Sequence, residues 1–176
     1  MKNITAQILK FYFEKMREPK LEELTIEDDS LKEKWCCFVT LYLNGEVRWS
    51  AWNIKEIHST IAEELISNTM QALTWDKRFS PLTREESEKI GFRVDKIENR
   101  EMISLKDITG IDPVQNWVIS IQRSYDKLAV VLPNMSPKLM TWDDFIPVLQ
   151  NKLETKTIDD KTSILYKITT LSETSF

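Results

Sequence analysis

Histidine occurs once, cysteine twice and glycine three times in the 176 residues. These shortages exclude whole classes of chemistry. Three glycines do not build a Gly-rich phosphate loop. One imidazole and two thiols are too few soft ligands for a zinc cluster. Cys36 and Cys37 are adjacent, a spacing that strains a bridge between them, so no disulfide framework is expected. The expectation is a chain without metal or cofactor. An excess of positive charge is missing too: 24 Lys and Arg stand against 28 Asp and Glu, for a net charge of −4. That balance argues against nucleic acid and against anionic membrane as partners. Long apolar runs are also absent. Lys10, Glu14 and Lys15 interrupt the first sixteen residues, which therefore lack the apolar core of a signal peptide, and no later stretch reaches the ~18 apolar residues of a membrane span. A cytoplasmic, reducing setting follows as the expectation.

What is present is an ordinary globular composition, 41% hydrophobic and 30% charged. The length suits a single domain over 1–176, with room for a small second lobe. Ile4, Ile8, Leu9, Tyr12, Phe13 and Met16 recur at helical spacing and predict a helix over 4–17, stopped by Pro19. Residues 20–34 are charge-rich and read as a surface excursion. Residues 36–43 are dense in strand formers, and Asn44-Gly45 follows, the strongest short hairpin signal. Residues 46–53 then return as a second strand. Ile57, Ile61, Ala62, Leu65, Ile66, Met70 and Leu73 predict a second helix over 55–73.

A loop with Pro81 leads to Thr83 and Glu86, a capping-box pair predicting a short helix that ends near Gly91. Residues 92–97 alternate as a half-exposed strand, and 102–105 continue it after a turn. A loop around Gly110 and Pro113 precedes strands at 117–121 and 128–132, the latter stopped by Pro133. Thr141 caps a helix carrying Trp142, Phe145, Ile146, Leu149 and Leu153. A last strand is read at 164–168. The order predicts an α+β fold with a mostly antiparallel sheet flanked by helices.

Several of these segments together resemble the AMMECR1 domain family. The likeness begins at Phe38-Val39-Thr40-Leu41 and Gly45-Glu46-Val47-Arg48. It is strongest over residues 76–86, from Asp76-Lys77-Arg78-Phe79 through Ser80-Pro81-Leu82-Thr83 to Glu86, which is similar to the family's D-x-R-F-x-P-L-T-x-E-E run. Residues 92–97, 128–133 and 142–153 resemble later segments, so the likeness covers roughly residues 4 to 170 in order. It implies an antiparallel sheet flanked by helices with a smaller lobe. The family's signature hexapeptide, L-R-G-C-I-G, is replaced here by Val47-Arg48-Trp49-Ser50-Ala51-Trp52. Arg48 is retained, the cysteine position holds Ser50, and both glycine positions hold tryptophan. A glycine lets a ligand or backbone approach closely, and an indole fills that space. The family has no defined reaction. Its members are encoded beside, or fused to, Memo-like and radical-SAM proteins, which implies a shared modification pathway.

The hairpin is the first candidate site. With a two-residue turn, Arg48, Ser50 and Trp52 share one face with Cys37, Val39 and Leu41, while Trp49 and Ala51 share the other with Phe38, Thr40 and Tyr42. A one-residue bulge reverses these faces. Read functionally, Arg48 takes an anionic group, Ser50 hydrogen-bonds and Trp52 is a stacking wall. Read structurally, both indoles are core and Arg48 pairs with a carboxylate. Trp49 is expected to be buried and Trp52 to line a cleft. Asp76 and Arg78 form the second candidate: either Arg78 binds a carboxylate or phosphate, or the pair locks a loop. His58 is expected to be an exposed helix residue, and one of Cys36 and Cys37 to be core with the other partly covered. Trp35, Trp75, Trp117 and Trp142 read as core anchors. The expected function is a non-catalytic protein that binds a ligand or partner at a cleft near Arg48. The alternative is an enzyme of a modification pathway.

Overall fold

The computed structural model describes residues 1–75, 82–112, 115–122, 127–131 and 141–176. The first apolar stripe forms helix α1, Lys2–Lys15, which buries Ile4, Thr5, Ile8 and Leu9. It ends earlier than Pro19 requires. Met16 turns left-handed at φ 53°, and its N–H bonds back to the Tyr12 carbonyl at 2.7 Å. The charge-rich excursion is more than surface. Two short 3-10 turns, Leu21–Glu23 and Asp29–Lys32, bring in Leu31, which is buried, with Leu21, Leu24 and Ile26 packed against the same core.

Strand β1, Cys37–Leu43, and strand β2, Glu46–Trp52, form the predicted hairpin. Asn44 and Gly45 both have positive φ, 54° and 82°, as a type I′ turn needs. Helix α2, Ile61–Thr74, packs on the two strands. It begins later than the apolar periodicity predicts, because Thr60 and Glu63 close a capping box: the Glu63 N–H donates to Thr60 Oγ1 at 3.2 Å, and the Thr60 N–H to Glu63 Oε2 at 3.1 Å. The residues predicted as its first turn are held out as a loop, since Ile57 and His58 give their N–H groups to the Glu64 carboxylate. His58 is accordingly a half-buried loop residue, not an exposed helix residue.

The predicted helix after Thr83 is a turn followed by a single 3-10 turn, Ser87–Lys89. Thr83 and Glu86 do make the box hydrogen bonds. No run of residues with helical apolar spacing follows to extend it. Strand β3, Ile90–Ile103, then runs without the predicted break. Strands β4, Trp117–Gln122, and β5, Leu128–Val131, precede helix α3, Trp142–Leu153. Thr141 caps α3 together with Asp144. Strand β6, Ser163–Thr174, is longer than predicted.

Hydrogen-bonded neighbours run β2-β1-β3-β6-β4-β5, and the pairings β1/β2, β1/β3, β4/β5 and β4/β6 are antiparallel. The fold is α+β. The chain divides into two compact units, residues 1–97 with 171–176, and residues 98–170. In the first, Ile4, Ile8, Val39, Leu41, Trp49, Leu65, Leu73 and Val94 form the core. In the second, Val118, Ala129, Val131, Trp142, Phe145, Leu149 and Leu165 do so.

Candidate functional site

The hairpin register decides where each candidate side chain goes. Leu43 faces Glu46 and Tyr42 faces Val47, as a two-residue turn dictates, but Leu41 then faces Trp49. Arg48 is the extra residue of a β-bulge. From there the pairs are Thr40 with Ser50, Val39 with Ala51 and Phe38 with Trp52. The faces predicted for an unbulged hairpin are therefore reversed. Trp49 and Ala51 join Val39 and Leu41 in the core under α2, and Ser50 and Trp52 share the opposite face with Thr40 and Phe38.

The physical cause is a parity conflict. The apolar residues of β1 that meet the helices are Cys37, Val39 and Leu41, and those of β2 are Trp49 and Ala51. A two-residue turn places Arg48 and Ser50 opposite that β1 set, which buries a guanidinium and a hydroxyl. One inserted residue restores apolar against apolar. The signal lies in the order of the residues and needs only this count.

Trp49 is 1% exposed. The Arg48 guanidinium carbon lies 4.9 Å from the centroid of its ring, within cation–π range. Arg48 is itself half-buried, as are Ser50 and Trp52. The Trp52 ring sits 5.6 Å from that of Phe38 at an interplanar angle of 35°. Glu86 lies in the field of Arg48. Its carboxyl is held below the ordinary range, first by the Thr83 backbone and hydroxyl and to a lesser degree by Arg48. The structure thus brings Ser50 and Trp52 together on one face, sends Trp49 to the other, and leaves Arg48 at the bulge between them. Asp76 and Arg78 lie outside the described residues.

The same face of β1 and β3 carries a charged cluster that is not among the candidates predicted from sequence. Thr40 faces Arg93 and Phe38 faces Asp95. Asp95 is fully buried. Arg93 Nε donates to Asp95 Oδ1 at 2.9 Å, and one terminal guanidinium nitrogen lies 2.7 Å from the same oxygen. Ser172 Oγ also donates to Asp95. Two opposite charges two residues apart in an alternating strand share a face, and that spacing is the available signal.

A second buried network pins the end of β2. Glu64 is fully buried. It accepts from Asn53 Nδ2 at 2.7 Å and from the Ile57 and His58 N–H groups at 2.6 and 2.9 Å. Asn68 Nδ2 donates to the Cys37 carbonyl at 3.0 Å. Burial raises the Cys37 thiol to about 12, only partly opposed by the Asn68 side chain. Both cysteines are buried, where partial cover was expected for one, because β1 is closed on both faces at its start. Trp75, expected as a core anchor, is 76% exposed. It follows the last turn of α2, while the buried stripe of that helix runs through Leu65, Ile66, Thr69, Ala72 and Leu73. Among the described residues, no helix is long and apolar enough to cross a membrane, and no group of three or more His, Cys, Asp or Glu is placed to hold a metal ion.

Comparison with known proteins bears on the whole chain. The model of the AMMECR1 family matches residues 3–173. Among solved structures, the fold is similar to that of an uncharacterised protein from Pyrococcus horikoshii, with a TM-score of 0.77 at 18% identity over 96% of this chain and 86% of that one. None of the curated proteins matches.

Proposed function

Because the chain belongs to the AMMECR1 family, whose biochemical role is undefined, we propose that it is a non-catalytic member that binds a ligand or partner through the β2 surface around Arg48. The observation that carries this reading is the bulge. It takes Trp49 out of the surface and leaves Arg48, Ser50 and Trp52 half-buried beside one another in sequence, on a strand whose other face is core. A guanidinium, a hydroxyl and an indole edge offer charge, a hydrogen bond and stacking, which suit an anionic group on a planar or apolar body. The reading against catalysis is supported by the nucleophiles. Ser50 stands where the family signature has cysteine, and both thiols of this chain are buried, with Cys37 held protonated. The setting is cytoplasmic, and the partners suggested by the family are Memo-like or radical-SAM proteins.

The test is an isotope-labelled NMR titration with phosphate and with small carboxylates, followed by one with a purified Memo-like protein. Shifts confined to residues 48–52 and their β1 neighbours are expected, and Arg48→Ala should remove them while leaving the spectrum of a folded protein. Shifts that survive Arg48→Ala contradict the reading. Turnover of a ligand at this surface would instead favour an enzyme of the modification pathway.

A further inference from the structure

The last two turns of α2 carry a stripe beside the buried one, on which only Met70 also packs against the core. Ser67, Met70, Gln71, Thr74 and Trp75, together with Glu18 from the segment after α1, line an open groove of about 500 Å³. Its chemistry is uneven. Trp75 presents an indole that is 76% exposed, and Met70 supplies a half-buried thioether. The polar side chains beside them are occupied locally: Gln71 donates to Ser67 Oγ at 3.0 Å, and Thr74 to the Met70 carbonyl at 2.7 Å.

Two negative features converge there. Glu18 is exposed, and among the described residues no cation pairs with its carboxylate. The neighbouring Arg17 is committed elsewhere, with its guanidinium on Glu23 at 2.5 and 2.8 Å and on the Glu18 backbone carbonyl rather than its side chain. The groove also lies at the C-terminal end of a 14-residue helix whose last turn contains no basic residue, so the negative end of its dipole is uncompensated within the helix.

We infer that this groove binds a basic segment of a partner protein, with the alkyl stem of a Lys or Arg lying on Trp75 and Met70 and its charged head at Glu18 and the α2 C-terminus. An exposed indole face attracts a cation, and the stem of a long basic side chain covers apolar surface while its head stays near water. An acidic partner is disfavoured by the same two negative features. The groove is lined by residues of α2 and by Glu18, with no residue of β2 among them, so it stands or falls independently of the function proposed above.

The probe is the pentapeptide acetyl-Arg-Leu-Lys-Leu-Arg-amide, titrated into the labelled full-length protein. Its neutral analogue, acetyl-Gln-Leu-Gln-Leu-Gln-amide, is the control. The Trp75 indole and the amides of Ser67, Gln71 and Thr74 should shift with the basic peptide, and those of Trp49 and Trp117 should not. Glu18→Gln should weaken binding about two- to fivefold, the range for one exposed charge pair. Trp75→Ala should weaken it about tenfold through the lost ring. Both side chains are exposed, so both variants keep the fold, and Arg48→Ala should leave binding unchanged. Equal affinity for the neutral peptide, shifts scattered over other acidic patches, or full binding by the Trp75→Ala variant would each overturn the inference.

Discussion

Trp49 and Trp52 are three residues apart on one strand and live in different environments. Trp49 shares the core of the first unit with Leu41, Val39 and Leu65. Trp52 leans on Phe38 from the opposite face and keeps part of its ring in solvent. Without the bulge, the even spacing of a strand would put Trp52 in the core with Arg48 and Ser50, and Trp49 outside. One extra residue therefore settles which of two identical side chains stabilises the fold and which is available to a ligand. The same device keeps a guanidinium at the margin of the sheet, where it stacks on Trp49 without being drawn under α2.

The largest expected effect lies on the core side. Trp49→Ala removes a fully buried indole and should destabilise the protein by about 3–5 kcal/mol, read from the midpoint of a urea unfolding curve. Trp52→Ala should lower stability by about 1 kcal/mol, because the ring is already partly solvated. Equal losses in the two variants would mean that the faces are not distinct.

A second effect on the core side sharpens the contrast through pH. Cys37 is on the core face, and burial holds its thiol up at about 12, against 9.0 for an unperturbed thiol. A folded pKa above the unfolded one gives stability that is complete below the unfolded value and is lost as pH rises towards the folded one. Stability should therefore decline between about pH 9 and about pH 12, as the unfolded thiol ionises while the folded one stays protonated. Cys37→Ala should flatten that decline. A slope identical in the two proteins would place Cys37 outside the core.

Much of the fold is legible in the order of the residues alone. Asn44-Gly45 announces a turn because both residues tolerate positive φ, and Thr141 announces the start of α3 because the Asp144 carboxylate accepts from both its N–H and its hydroxyl. Periodicity misplaces the start of α2 because Ile57 continues the apolar spacing, while Glu64, four residues into the helix, holds Ile57 and His58 outside it. A buried carboxylate acting on residues ahead of its own helix leaves no periodic trace. The candidate site is half legible. The altered hexapeptide singles out Arg48, Ser50 and Trp52, but a simple turn inverts their faces, since turn type sets register only as far as the first bulge. Arg93 and Asp95 escape notice because an ion pair within a strand looks, in sequence, like two solvated charges. Trp75 reads as core because tryptophan usually is, although it lies beyond the buried stripe of α2, which ends at Leu73.

The bulge can be tested directly by cross-strand NOEs between β1 and β2. The structure predicts contacts of Leu41 with Trp49, Val39 with Ala51 and Phe38 with Trp52. Contacts of Leu41 with Arg48 and of Val39 with Ser50 would contradict it, returning Trp52 to the core face and removing the basis for a ligand surface around Arg48.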